Sequence, residues 1–520
     1  MAVVGHFRTT AAAIPPAPDY RAALLTDHLP LSLNPLIDSE DPAVAAITPL
    51  LYRGLLTLDQ TAYPAPDLAS QLSITPDGLT YTLPLRPGLR WSNGRPITAQ
   101  DALATIQWVQ STAFPDAAYA STWSGVDAST SGGALVLTLT TPRASLAESL
   151  AELPILPLGA MSPAQLAGLA GRSSSALPTS GPYQVVGEKS GVITLIANPH
   201  AAPPPRLTRI QIEAMTTFTT AATAFAAGSV QAVLATTPAQ QAQLLRRHGA
   251  VASDVLTFGF VDLLFNEIVP GLDDPVVRGA VADTIDRAAL VDGPLGGLGT
   301  AQYGPIPAGI LWLQGEEPAF TPDPAAAETG LDAGGWLGVP GGARAQGGVA
   351  LRFTLSVPDA APLPAVAQMV ADQLDAVGIS VTVSVSPSAT FLDDVLIPGN
   401  FQMAIASWDA GPDPDLTGFW SSSSTPPNGY NVSGGTADPF LDQDLATLAT
   451  LTNQTASMAA ATRVVGEMNQ DLPAVFLYAP AEDLVVDSAS LSHVVVPQAG
   501  DPFADAATWQ RAEPAAPSRS

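Results

Sequence analysis

Apolar residues along this chain switch between a period of two and a helical period, and the switches fall at turn-forming residues. Thr75-Pro76-Asp77-Gly78 reads as a tight turn with Leu79, Tyr81, Leu83 and Leu85 alternating behind it, so residues 52 to 89 are expected to form short strands joined as a hairpin. A second turn at Ser92-Asn93-Gly94 leads to Thr98-Ala-Gln-Asp101, the spacing of a helix N-cap answered by an acid three residues on. Leu103, Ile106 and Val109 then share one helical face. Asp274 before Pro275 marks another helix start, with Val277, Val281, Ile285 and Ala288 as its apolar stripe.

Farther along, Leu351, Phe353, Leu355 and Val357 alternate as a strand. Val366, Val370, Leu374 and Val377 make a helix stripe that stops at Gly378, and Val381, Val383 and Val385 alternate again. Strand, helix and strand in that order predict a parallel βαβ crossover. Phe401 to Trp408 is the next strand, and its carboxyl end opens into Asp409-Ala-Gly-Pro-Asp-Pro-Asp415. Ligands of open α/β sheets gather beyond the carboxyl ends of strands, so this loop is the candidate site that pattern alone selects.

Length and composition narrow the classes. With 520 residues, 47% of them hydrophobic in type, the chain can bury a large core divided over about three domains. Residues 1–19 and 510–520, rich in Ala and Pro and without periodicity, read as tails. No apolar run reaches the roughly 18 residues of a membrane span. Twenty basic residues against 47 acidic ones give a net charge of −27, which excludes a nucleic-acid partner by repulsion and favours solubility.

There is no cysteine, hence no disulfide and no thiol chemistry. The first twenty residues lack the basic and then apolar regions of an export signal, which leaves a cytosolic protein or one whose signal was removed. No G-x-S-x-G elbow, H-E-x-x-H helix or phosphate loop occurs, and the histidines at 6, 28, 200, 248 and 493 have no ligand spacing. Neither an enzyme's machinery nor a cofactor or metal site is legible. The Gly293–Gly299 stretch reads as a plain loop, and Asp409, Asp413 and Asp415 miss the calcium-loop pattern.

An ordered series of motifs adds to this reading. Leu33-Asn-Pro-Leu36 is followed by Leu51-Tyr-Arg-Gly-Leu-Leu-Thr-Leu-Asp59, Pro66-Asp-Leu-Ala69 and Thr75-Pro-Asp-Gly-Leu-Thr-Tyr-Thr-Leu83. Leu89-Arg-Trp-Ser-Asn-Gly-Arg-Pro-Ile-Thr-Ala-Gln-Asp101 comes next, then Thr179-Ser-Gly-Pro-Tyr183, Leu263-Leu-Phe-Asn266, Asp273-Asp-Pro-Val-Val-Arg278, Ala282-Asp-Thr-Ile-Asp-Arg287 and Tyr303-Gly-Pro-Ile-Pro307. Together these stretches resemble the family 5 solute-binding proteins of ABC importers, the peptide and nickel class that also includes oligosaccharide binders.

The resemblance implies an α/β, two-lobed periplasmic-binding-protein type II (cluster C) fold with a subdomain inserted in lobe 1 and a two-strand hinge. Lobe 1 would take residues 20–48, 179–260 and 479–509, the insertion 49–178, and lobe 2 261–478. It implies a monomer without cofactor or catalysis, periplasmic or lipid-anchored at the cell surface, with its signal upstream of residue 1. Such a protein captures peptides or oligopeptides by lobe closure and delivers them to a membrane permease. An oligosaccharide binder of the same family, and an enzyme or sensor reusing the fold, stand as alternatives, with a metal-complex importer behind them.

Peptide-binding members of the family carry an Asp three residues after a Trp at the end of this strand, where it pairs with the ligand's α-ammonium group. Here Gly411 occupies that place after Trp408, and W-D-A-G-P-D-P-D resembles a W-x-x-G-x-D-P-D variant of the motif. Asp409 or Asp413 would therefore have to meet a bound amine. Trp408 is either a stacking face or a core residue; Trp420 and Tyr430, set in polar loops, are candidates for stacking on the ligand. Asn34 and Asn266 are candidates by position in matching segments, with backbone satisfaction as their other reading. Trp91 reads as structural.

Overall fold

Twelve strands form one continuous sheet, and the chain passes between its two halves through two of its stretches. The computed structural model describes residues 20–26, 33–37, 42–161, 165, 177–315, 321–339, 342–433 and 438–512. In chain order the sheet strands are β1 (Tyr20–Leu25), β2 (Tyr183–Lys189), β3 (Val192–Ala197), β4 (Arg209–Met215), β5 (Ala232–Ala235) and β6 (Ala250–Leu256). They continue as β7 (Gly259–Phe265), β8 (Gly299–Ala301), β9 (Arg352–Pro358), β10 (Ser380–Ser386), β11 (Met403–Asp409) and β12 (Ala474–Asp487).

The fourteen residues of β12 belong to both halves. Its first part pairs with β7 and β8, and its second part, from Ala481 to Asp487, pairs with β5 and β6. Between the parts stands Pro480, which has no N–H to give to a ladder, while its carbonyl accepts from the Thr257 backbone at 3.0 Å. Thr257 and Phe258 likewise separate β6 from β7. This first crossing ends at Gly259, where a Cβ would lie 2.5 Å from the Trp408 carbonyl oxygen, so only glycine lets the two backbones approach there.

Each half packs helices on both faces of its part of the sheet. In the N-terminal half β1 runs parallel to β4 and β5, and β4, β3 and β2 form an antiparallel meander. One face packs on helices Phe218–Ala227 and Pro238–Leu244 around Phe225 and Val233. The other face merges with a four-stranded sheet built on Thr80–Pro84 and Ala134–Leu139, and with helix Ala99–Val109, through Tyr81, Trp91, Ile106 and Leu137. In the C-terminal half β9 is parallel to β10 and β11, as the βαβ pattern requires, with Phe353 beside Val381. Helices Pro275–Thr284 and Leu363–Ala376 cover one side, and Pro439–Leu448 with Gln454–Asp471 cover the other.

The local expectations are met where short-range chemistry decides. Ser73–Ile74 and Thr80–Pro84 pair antiparallel across the Asp77-Gly78 turn, with Gly78 at φ +70°. Asp101 returns to the start of its helix by accepting from the Thr98 N–H at 3.0 Å. The stripe drawn from Val277 to Ala288 does not run through. The helix ends at Thr284, Ile285 turns extended at ψ 114°, and Asp286 caps a new helix Arg287–Asp292 by accepting from the Ala289 N–H. Ala288 is consequently exposed. At the C-terminal end Gln510–Arg511 pairs with Leu491–Ser492 instead of trailing as a tail; the N-terminal tail, 1–19, lies outside the described residues.

Candidate functional site between the two halves

The loop that follows β11 sits where the two halves meet. Its Ala410 N–H donates to the Phe258 carbonyl at 3.1 Å, which ties it to the crossing segment. Three acids shape it: Asp409 accepts from the Gly411 N–H, Asp413 from the Asp415 N–H and Asp415 from the Thr417 N–H, at 3.1, 2.8 and 2.9 Å. Gly411 takes φ +68° with open space where a Cβ would stand. Asp409 is exposed and Asp413 half-buried.

Trp408 projects from the end of β11 and donates its indole N–H to Asp262 Oδ1 at 3.2 Å. Asp262 lies on the neighbouring strand β7, is fully buried, and leaves Oδ2 without a partner. Burial pushes its carboxyl well above the usual range, against the opposing pull of the Trp408 hydrogen bond. The indole N–H is therefore committed to the sheet, and what Trp408 offers the cleft is ring surface. That surface continues into Phe419 and Tyr430, with centroids 5.7 and 5.9 Å from Trp408 and 5.8 Å from each other. Tyr430 is 47% exposed.

Trp420 does not join this wall. The polar residues around it suggest a surface loop, but it ends the short helix Thr417–Trp420 and is 5% exposed, packed on Phe260 and Phe476. Asn266 is also turned inward, donating to the carbonyls of Gly399 and Phe401 and accepting from the Ile268 N–H. Asn34, 1% exposed, accepts from the Leu36 N–H inside its own turn. The structure thus gathers Trp408, Asp409, Gly411, Asp413 and Tyr430 at one place and leaves Asn34, Asn266 and Trp420 in packing roles.

The opposite wall is helix Leu146–Glu152, which pattern reading passed over. Ala144, just before it, donates its N–H to the Ala449 carbonyl of the other half at 2.8 Å. Glu148 and Glu152 stand four residues apart on one side of the helix and feel the Asp413 charge across the gap. Burial is the main cause that pushes Glu148 up to about 8, with Asp413 and Glu152 adding to it. The same crowding, with Asp413 and Asp409, pushes Glu152 up to about 7, although its side chain keeps a solvent-accessible face. Asp413 itself is pushed up to about 7 by burial and Asp415, opposed by a hydrogen bond from Ser145 and by Arg143.

Two signals of the cleft were present in the sequence. A same-charge pair at i,i+4, as in Glu148 and Glu152, weakens an isolated helix and calls for a reason. Asp262 interrupts the otherwise apolar run Phe260-Val-Asp-Leu-Leu-Phe265.

Two α/β halves, joined by two crossing segments and meeting over an acidic, aromatic-walled cleft, define a two-lobed solute-binding protein. Residues 63–430 match the bacterial extracellular solute-binding proteins, family 5, and the chain belongs to that family. Protein XP55 of Streptomyces lividans is 29% identical over 322 residues, covering 59% of this chain and 56% of XP55. The oligopeptide-binding protein OppA of Bacillus subtilis is 34% identical over 79 residues, 15% of this chain and 14% of OppA. The chain thus matches little more than half the length of the first relative and less of the second. Among solved structures, an ABC transporter substrate-binding protein from Sinorhizobium meliloti superposes with a TM-score of 0.80 at 19% identity, over 95% of this chain and all of that one. Among the described residues no helix is long and apolar enough to cross a membrane.

Proposed function

We propose that this chain is the extracytoplasmic capture component of an ABC importer and that its ligands are peptides. Family membership supports the role, and the likeness to the oligopeptide-binding protein OppA supports the ligand class. The observation that carries the reading to particular residues is the cleft itself. Asp413 lies in the loop that follows Trp408, whose ring surface continues into Tyr430, at the end of the strand where such a fold gathers ligand. Asp413 takes the part of the amine partner, and the ring wall takes an apolar side chain. Residues 20–48, 179–260 and 479–509 act as lobe 1 with 49–178 as its insertion, and 261–478 act as lobe 2. Bending at Thr257–Phe258, between β6 and β7, and at Pro480, which has no N–H to give, closes the lobes on the ligand. A membrane permease then reads the closed form, whose population rises only by the ligand's differential affinity for it.

A thermal-shift screen of the purified protein against tri- to pentapeptides and against oligosaccharides tests this. A ligand present at about 100 times its dissociation constant stabilises the folded state by roughly 2.7 kcal/mol. Stabilisation by peptides is the expected result. Stabilisation by oligosaccharides alone would overturn the ligand class and leave the ring wall as a sugar platform.

A further inference from the structure

A cavity of about 40 Å³ lies on the seam between the halves, lined by Tyr63, Leu72 and Glu148 from one half and by Trp312, Pro414 and Leu451 from the other. Backbone hydrogen bonds join the halves across the seam: the Trp312 N–H donates to the Thr61 carbonyl at 3.0 Å, and the Ala144 N–H to the Ala449 carbonyl at 2.8 Å. Tyr63 meets the Trp312 ring edge to face, with centroids 5.2 Å apart. Each half also brings to this cavity one residue with a buried polar atom that has no partner. These atoms are Oε2 of Glu148, which is 4% exposed, and Nε1 of Trp312, which is 7% exposed. The hydroxyls on the same wall are committed elsewhere. Tyr81 donates its proton to the Arg143 carbonyl at 3.0 Å, and Ser457 donates to the carbonyls at the start of its own helix.

We propose that this cavity is a side-chain pocket for a neutral carboxamide, that of Gln or Asn in a captured peptide, whose C=O accepts from the Trp312 indole and whose NH2 donates to Glu148. The proposal rests on the peptide-capture reading and adds the side chain that is selected. An indole N–H can only donate, so the group that meets it must accept, while the free oxygen of Glu148 can be met by a donor. A carboxamide offers both from one carbon. An ammonium or guanidinium would bring only donors to the indole, and a carboxylate would bring only acceptors to Glu148. An apolar side chain would leave both atoms unpaired, at the full cost of their desolvation. Size agrees: a water-sized position takes roughly 10–15 Å³, so the cavity holds about three, the number of heavy atoms in a carboxamide. Leu72, Leu451 and Pro414 provide apolar surface for the methylene stem.

Burial, which pushes Glu148 up to about 8, leaves its carboxyl protonated at neutral pH, so the pocket needs no counter-charge from the ligand. A group bonded to both Glu148 and Trp312 touches both halves at once, which requires the seam to be closed. The two bonds therefore add to the differential affinity that favours the closed form. Discrimination of this kind is steep, because a ligand that lacks the polar group leaves the atoms of the site unpaired.

Titration calorimetry of the full chain with alanine tripeptides that carry Gln, Asn, Met, Glu or Lys at each position in turn tests the pocket. At one position the better carboxamide peptide should bind about tenfold or more tighter than the Met, Glu and Lys peptides. Trp312→Phe keeps a ring against Tyr63 and removes the N–H, and Glu148→Met keeps the length of the side chain and removes both oxygens. In each variant the preference for the carboxamide over Met should fall by about tenfold or more. Melting of the unliganded variants separates a lost site from a lost fold, and Glu148→Met, with no charge to desolvate, keeps its fold. Tripeptides that bind without preference for a carboxamide at any position, the result if water alone fills the cavity, would overturn the pocket and leave peptide capture standing. A preference that survives in Glu148→Met and in Trp312→Phe would overturn it as well. Binding of none of the tripeptides would instead overturn peptide capture, and the pocket with it.

Discussion

Replacing Glu148 by Gln should stabilise the unliganded protein, and by an amount that depends on pH in a defined direction. The Glu148 carboxyl moves from 4.5 to about 8 on folding, so between these values the unfolded chain has released a proton that the folded chain still holds. A folded-state value raised in this way favours folding most at low pH, and that advantage is lost as pH rises. At one pK unit per 1.36 kcal/mol, the cost relative to a group that never ionises is roughly 4 kcal/mol at pH 8 and roughly 1 kcal/mol at pH 5. Glutamine keeps the shape of the protonated acid and has no charge to desolvate, and the Oε2 position has no donor to lose. Urea unfolding of both proteins at pH 5 and pH 8 measures the difference. The variant should gain about 3 kcal/mol more at pH 8 than at pH 5. An equal effect at both values, or a variant less stable at pH 8, would refute the claim that Glu148 is buried against its own charge.

Three further outcomes follow from the packing. Asp101 is fully buried, accepts from Arg95 Nη2 at 2.6 Å and from the Thr98 and Gly159 N–H groups; Asp101→Ala should cost about 2–4 kcal/mol in urea unfolding, strand Arg95 and uncap its helix. Asp262→Asn should be tolerated in urea unfolding, because the amide keeps an oxygen for the Trp408 N–H and has no charge to desolvate, while Asp262→Ala leaves that N–H unpaired and costs about 1–3 kcal/mol. Trp420→Ala should cost about 3–5 kcal/mol in thermal or urea melts and Tyr430→Ala less than about 1 kcal/mol, with the latter instead weakening peptide binding in calorimetry.

Elements set by short-range chemistry were legible in the sequence. The Asp77-Gly78 turn, the Thr98–Asp101 cap and the helix stop at Gly378 each depend on residues within a few positions of one another. The break at Ile285 was not legible from the apolar stripe, because periodicity continues through it while the Asp286 cap ends it. The cleft was half legible. Position beyond a strand end selected Asp409 and Asp413, but Glu148 meets Asp413 only because two distant parts of the chain fold against each other. Trp420 was obscured by its neighbours, since Ser421 to Ser424 look like a solvent-exposed loop while the indole points into the core.

The central claim is that peptide binding draws two lobes together across the Asp413 cleft. Small-angle X-ray scattering of the purified chain, alone and saturated with a peptide taken from the thermal-shift screen, measures this most directly. The account predicts a smaller radius of gyration in the saturated sample and no such change for Asp413→Ala at the same peptide concentration. Saturated binding with an unchanged scattering curve would contradict it.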